Sequence, residues 1–110
     1  MANVLDKIIE DKKESLKGIK KTNSLDSIEN TIKSLNNFLN FKEVIDKNKG
    51  ASLITEIKKA SPSAGELVKD FNHLNIAKMY VDSGATCLSV LTEEKHFLGK
   101  LDYIEDIKNK

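Results

Sequence analysis

The chain has 110 residues, about one domain's worth, of which 39% are hydrophobic and 32% charged; this fits a soluble globular fold and excludes a disordered tail, a collagen-like repeat or a disulfide-dense scaffold. Eighteen lysines against 17 acidic residues leave a net charge of +1, without the basic footprint of a nucleic-acid binder or a membrane-surface protein. There is no arginine, so an anion would have to be held by lysine or by backbone N–H groups. Residues 1 to about 48 read as a helical extension. Val4, Leu5, Ile8 and Ile9 recur at helical spacing among charged neighbours, and Gly18 with Lys20 and Lys21 predicts an ending. A second helix is predicted from Asp26, whose carboxylate would cap it, with Glu29 completing a capping box. Leu25, Ile28, Ile32, Leu35 and Leu39 then step by three and four along one face, a stripe suited to docking on a neighbouring layer. Phe41, Val44 and Ile45 continue the apolar supply until Asn48-Lys49-Gly50 breaks the pattern.

Residues 49–110 have a different texture. Residues 53–58, rich in β-branched side chains, predict a strand, and Ser61-Pro62-Ser63-Ala64-Gly65 predicts a loop. A helix fits from about His73 to Ser83, with Leu74, Ile76, Ala77, Tyr80 and Val81 on its buried side and Gly84 at its termination. Residues 86–91 predict a second strand, followed by a loop through Gly99. Leu101, Ile104 and Ile107 open a last helix, expected to run to the end of the chain. Strand, helix, strand, helix is a βαβ arrangement, so the two strands are expected to be parallel with a right-handed crossover. Parallel sheets are normally buried on both faces, and two strands alone read as the opening of a larger sheet.

Side chains alternate along a strand, so Ile54, Glu56 and Lys58 share one face and Leu53, Thr55 and Ile57 the other. The second set is mostly apolar and is expected to pack under helices. The first carries opposite charges near the strand's carboxyl end, where parallel α/β sheets place their ligand sites. Glu56 and Lys58 would stand roughly 6.6 Å apart along that face, close enough to present opposite charges to one ligand. The blander alternative is a solvated face with both charges in water. On the second strand Leu88 and Val90 form the apolar side, and Cys87, Ser89 and Leu91 the mixed one. Ser61 and Ser63 lie just past the first strand, where hydroxyls and loop N–H groups beside Lys58 could bind an anion or simply close a turn. Phe97, in the polar loop after the second strand, could cover a planar ligand or pack the loop against the rim.

Cys87 is the only cysteine, so neither an internal disulfide nor a multi-thiolate metal site can form. His73 and His96 lack ligand spacing and read as surface or loop residues. The start, Met1-Ala2-Asn3-Val4-Leu5-Asp6-Lys7, is charged too early for a signal peptide, and no apolar stretch approaches the ~20 residues of a membrane helix. A reducing cytoplasm is the expected compartment.

Three blocks carry a resemblance: Thr55-Glu56-Ile57-Lys58-Lys59-Ala60-Ser61-Pro62-Ser63, then Lys69-Asp70-Phe71, then Cys87-Leu88-Ser89-Val90-Leu91-Thr92-Glu93-Glu94 with Phe97 and Gly99. In order and spacing they resemble the indole-3-glycerol-phosphate synthase family, and the likeness extends over essentially the whole chain. It implies a TIM (β/α)8 barrel, of which residues 49–110 would be the first two βα units behind an N-terminal helical extension at 1–48. It further implies a carboxy-lyase of tryptophan biosynthesis, closing the ring of 1-(2-carboxyphenylamino)-1-deoxyribulose 5-phosphate with loss of CO2 and water, without metal or organic cofactor. Glu56 and Lys58 match the family's first-strand active-site residues, the lysine engaging the anionic substrate and serving acid catalysis, the glutamate positioning it. Ser61 matches a substrate-contacting serine, and Leu91 and Phe97 match residues lining the apolar pocket for the anthranilate ring. The implied partner is thus a small anionic aromatic sugar phosphate, not nucleic acid or membrane.

The sequence also departs from the family. A (β/α)8 barrel takes at least ~200 residues, and the family's third-strand lysine, fourth-strand glutamate and phosphate-binding loops would all lie beyond Lys110. Ala64 stands where many members have a basic residue. Lys100 replaces a common serine, removing a helix cap at a cost of under ~1–2 kcal/mol. These 110 residues are therefore expected to be inactive and marginally stable alone, or to associate with a complementary fragment. The alternative from another class is a self-contained, non-enzymatic α/β interaction module with Glu56 and Lys58 solvated.

Overall fold

In the computed structural model, which describes residues 3–110, the chain divides between Leu39 and Asn40 into two units. Met1 and Ala2, the first two residues of the stretch tested for a signal peptide, lie outside the described residues. In the first unit, α1 (Val4–Thr22) is opened by a closed capping box. The Asn3 side chain accepts the Asp6 N–H at 2.8 Å, and the Asp6 carboxylate accepts the Asn3 N–H at 3.3 Å. The expected stop at Gly18 is not observed. One glycine costs a helix only about 1 kcal/mol, and the helix runs on to Thr22, with Lys20 and Lys21 in the last turn where cations suit the dipole.

The second helix, α2 (Leu25–Ser34), is capped by Ser24, whose hydroxyl accepts the Ser27 N–H at 3.1 Å. Asp26 is thus not the cap; it lies in the first turn, where its charge still favours the dipole. The stripe through Leu35 and Leu39 is broken as well, because the helix ends at Ser34 and residues 35–40 are extended or irregular. Thr31 and Ser34 turn their hydroxyls onto the carbonyls of Ser27 and Thr31, and Asn36-Asn37 follow; both features loosen a helix end.

The second unit begins with α3 (Phe41–Lys47), capped by Asn40. It continues as β1 (Ile54–Ile57), β2 (Ala60–Ser61), β3 (Gly65–Glu66), α4 (His73–Asp82), β4 (Cys87–Val90) and α5 (Asp102–Lys108). The expected parallel pairing is present: β1 lies beside β4 with Ile54 opposite Cys87, Thr55 opposite Leu88, Glu56 opposite Ser89 and Ile57 opposite Val90. Gly84 takes the left-handed φ of 97° that closes α4, in keeping with its place in the sequence. The segment expected to be a loop at 61–65 belongs to a small hairpin, β2 pairing antiparallel with β3. The last helix stops at Lys108 rather than running to the end of the chain, with the Asn109 N–H bonded to the Glu105 carbonyl, and it has no side-chain cap at its start. His73 is not a free loop residue: its Nε2 lies 2.7 Å from Asp106 Oδ2 and its ring stacks on Tyr103 at 4.2 Å, tying α4 to α5.

The core gathers on one side of the sheet. Paired residues in a ladder point to the same face, so Thr55, Ile57, Leu88 and Val90 form one surface, and α4 packs against β1. Ile57 is 1% exposed, and Ala60, Ala77 and Tyr103 are buried with it. Periodicity assigns Leu53 and Val81 to packed faces, but both are more than half exposed. Leu53 precedes the strand, and Val81 lines an open groove of about 600 Å³ between α4 and α5 with Leu74, Ala77, Leu88 and Ile107. The second unit is thus a partial α/β unit with two parallel strands, and among the described residues there is no closed barrel. Among them no helix is long and apolar enough to cross a membrane.

Candidate active site

Glu56 sits near the end of β1 and Lys58 one residue past it. The alternation that buries Ile57 turns both of its neighbours to the opposite face, away from α4. There they converge: Lys58 Nζ lies 3.3 Å from Glu56 Oε1, with side chains 35% and 48% exposed. The register puts Ser89 directly beside Glu56 and Cys87 beside Ile54, so the mixed faces of the two strands form one surface. The ladder runs one step further. The Leu91 N–H donates to the Ile57 carbonyl at 3.1 Å, placing Leu91 beside Lys58 at the carboxyl edge of the strands. The backbone carrying Glu56 is held from the helix side, since the Tyr80 hydroxyl donates to the Glu56 carbonyl at 3.0 Å.

Ser61, half-buried in β2, accepts the Ala64 N–H on its hydroxyl oxygen at 3.2 Å, and its oxygen is 3.5 Å from that of Ser63. The Ala64 N–H is therefore used in closing the hairpin rather than offered to an anion. Phe97 is half-buried in the loop after β4. Its N–H, with those of Lys95 and His96, converges on one carboxylate, Glu93; the distances are 3.1 Å for Phe97, 3.1 Å for Lys95 and 2.6 Å for His96. Burial pushes the Glu93 carboxyl up, but the three N–H donors and the nearby His96 outweigh it and hold its pKa below the ordinary 4.5. Glu56 and Lys58 are thus brought together by alternation along one strand, and Leu91 is set beside the end of β1 by the ladder. Ser61 and Phe97 are each fixed by their own local turn.

Three structural partners, Tyr80, Glu93 and Asp106, are not identified as such by sequence reasoning. Glu93 carries a legible signal, an acidic residue just ahead of a short polar turn, the pattern of an N-cap. Periodicity marks Tyr80 only as a buried helix residue, and its bond to Glu56 spans 24 positions. No local pattern announces such a contact. Among the described residues no group of histidine, cysteine or carboxylate side chains is placed to hold a metal ion.

Arranged this way, the surface can do two things. An ammonium held by a neighbouring carboxylate, at the edge where strand carbonyls end, can bind an anionic oxygen and deliver a proton to it. Leu91 and Phe97 add apolar side chains on the segment that follows β4. The sequence profile of indole-3-glycerol phosphate synthase matches residues 5–110. Relatives bearing that name include those of Clostridium acetobutylicum, 46% identical over 106 residues, and Desulforamulus reducens, 41% identical over 107. A third, from Alkaliphilus metalliredigens, is 41% identical over 105 residues. The alignments take in 96%, 97% and 96% of this chain and 40% of each relative, so the chain spans about two fifths of their length. A match running through both units and every element of the site shows that the chain belongs to the indole-3-glycerol phosphate synthase family.

Proposed function

We propose that this chain supplies the first two βα units and part of the active site of an indole-3-glycerol-phosphate synthase, a cytoplasmic TIM-barrel enzyme of tryptophan biosynthesis. The observation that carries the proposal is the Glu56–Lys58 ion pair at the carboxyl edge of two parallel strands. The substrate is 1-(2-carboxyphenylamino)-1-deoxyribulose 5-phosphate. Its ring carbon that bears the carboxylate attacks the ketone carbon of the sugar, forming a carbon–carbon bond while the carbonyl electrons move onto oxygen. Lys58 donates the proton that this oxygen takes up, and Glu56 keeps the ammonium aimed. The carboxylate leaves as CO2, returning its bonding pair to the ring; the hydroxyl then takes up a second proton and leaves as water, pushed by the nitrogen lone pair, and the carbon beside the nitrogen gives up a proton to a base to form the ring double bond. Leu91 and Phe97 receive the aromatic ring, and Ser61 contacts the substrate. Proton transfer of this kind asks for no metal or organic cofactor.

The remaining acid–base groups and the phosphate site belong to the other three fifths of the barrel, supplied as a complementary segment along the open edges of β1 and β4. Several apolar side chains support this incompleteness: Leu53, Ile54, Val81 and Ile104 are about half exposed in a unit of this size. A self-contained module would not require parallel strands that gather their charges at one end.

The test is a chimera in which residues 5–110 replace the matched segment of the Clostridium acetobutylicum relative. It is expected to form indole-3-glycerol phosphate, while the 110-residue chain shows no turnover. A folded but inactive chimera, or an active isolated chain, would contradict the proposal.

A further inference from the structure

The loop that carries Phe97 is built around a residue to which the proposed reaction gives no task. Glu93 gathers three successive N–H groups, those of Lys95, His96 and Phe97, on its carboxylate, and its own carbonyl accepts the Gly99 N–H at 2.8 Å. Both ends of the loop are thereby tied to one residue. The far end is also shaped by sterics. Leu98 holds a φ of 52°, uncommon for a residue with a side chain. Gly99 is buried flat against the main chain of Leu91 and Thr92, with no room for a Cβ. A strained residue next to a close backbone approach persists only where its surroundings hold it. Here the holding contacts are those of Glu93. The two residues assigned to the aromatic pocket, Leu91 and Phe97, stand on the two sides of this closure.

We propose that Glu93 is a positioning residue that presets the aromatic-ring subsite, fixing Phe97 relative to Leu91 before any ligand arrives. The ligand class is an aryl ring carried on an anionic sugar phosphate, so the proposal rests on the function assigned above. Glu93 touches no reacting atom. Its removal therefore weakens substrate capture far more than it slows the chemical step.

Two readouts test this. The first uses the 110-residue chain itself: amide hydrogen exchange of Glu93→Ala against wild type. Exchange should quicken at residues 95–97 and 99 and remain unchanged in β1 and β4. The second uses the chimera: Glu93→Ala should raise KM for the carboxyphenylamino substrate on the order of tenfold, the scale of one unmade buried hydrogen bond, with kcat nearly unchanged. Glu93→Gln, which keeps an uncharged acceptor, should recover part of that loss. A merely structural role would lower the melting temperature without moving KM apart from kcat. Unchanged exchange at residues 95–97 overturns the proposal whether or not the chimera is active, and so does a wild-type KM in a folded Glu93→Ala chimera. An inactive wild-type chimera instead overturns the assigned reaction, and the exchange result alone then decides whether Glu93 organises the loop.

Discussion

Replacing one glycine by alanine should have opposite effects at two places in this chain. At Gly99 the added Cβ would lie 2.1 Å from the Leu91 carbonyl oxygen, 2.7 Å from its carbon and 2.9 Å from Thr92 Cα. All three are main-chain atoms, so no side chain can swing aside. Relief requires one side of the loop to retreat by about 1 Å from the other, and overpacking of that kind costs about 1–3 kcal/mol. The retreat also stretches the bond from the Gly99 N–H to the Glu93 carbonyl, worth about 1 kcal/mol. A total of about 3 kcal/mol is a large part of the roughly 5–15 kcal/mol that holds a typical domain together. Gly18, in contrast, sits inside α1, and a Cβ there would have nothing within 4 Å. Alanine at that position should stabilise by about 0.5–1 kcal/mol, because it removes backbone freedom from the unfolded chain. Urea unfolding followed by circular dichroism reads both: at a slope of about 1–3 kcal/mol per molar urea, Gly99→Ala should lower the midpoint by about 1 M or more and Gly18→Ala should raise it slightly. Midpoints that move together, or a Gly99→Ala protein as stable as wild type, would refute the close-packed closure of the loop.

Acid should weaken the same loop. The Glu93 pKa is depressed on folding, so its contribution is present in full above the unfolded value of about 4.5 and is lost as pH falls through the lower folded value. The stability gap between wild type and Glu93→Gln should therefore narrow as pH falls below about 4.5, as read from urea midpoints; a constant gap would contradict the charge-assisted bonds. His73→Ala removes both the bond to Asp106 and the stack on Tyr103. It should cost about 1 kcal/mol and quicken amide exchange in α5 while sparing β1 and β4; a uniform change would show that the pair does not specifically tie the two helices.

The second unit is more legible in the sequence than the first, for a physical reason. β1, α4 and β4 announce themselves because each combines an apolar pattern with a terminator, Gly84 above all, and because parallel pairing follows from a helix between two strands. Alternation sorts each strand into an apolar and a mixed face, and the register then sets the two mixed faces side by side. Helix ends are less legible. Ser24 and Asp26 are both good caps, and which of them acts depends on where the chain first turns. Gly18 has the look of a stop, yet a glycine terminates a helix only when the residues beyond it cannot continue, and Ile19 to Thr22 can. The stripe ending at Leu39 shows the limit of periodicity: Leu35 and Leu39 keep the spacing after the hydrogen-bond ladder has gone.

At the site, the facing of Glu56 and Lys58 is legible because it depends on one strand. The contacts that fix Glu56 and Phe97 are not, because Tyr80 reaches the Glu56 carbonyl from a helix and Phe97 is placed by a carboxylate four residues earlier. The hairpin at Ser61 is hidden for a different reason. Two-residue strands carry no periodicity, and Ser-Pro-Ser-Ala-Gly reads as a turn whether or not its flanks pair.

The central claim is that Lys58, and not merely a lysine near the strand end, serves the reaction. The most direct measurement is kcat of the chimera carrying Lys58→Ala beside one carrying Lys59→Ala. Lys59 adjoins Lys58, but its carbonyl is engaged in the hairpin by the Leu67 N–H at 2.8 Å. Lys58→Ala should lower kcat by about 10²–10⁴-fold, the range for loss of a positioned proton donor, while Lys59→Ala leaves it close to the unmodified chimera. Equal losses at the two positions, or full turnover without the Lys58 ammonium, would contradict the account.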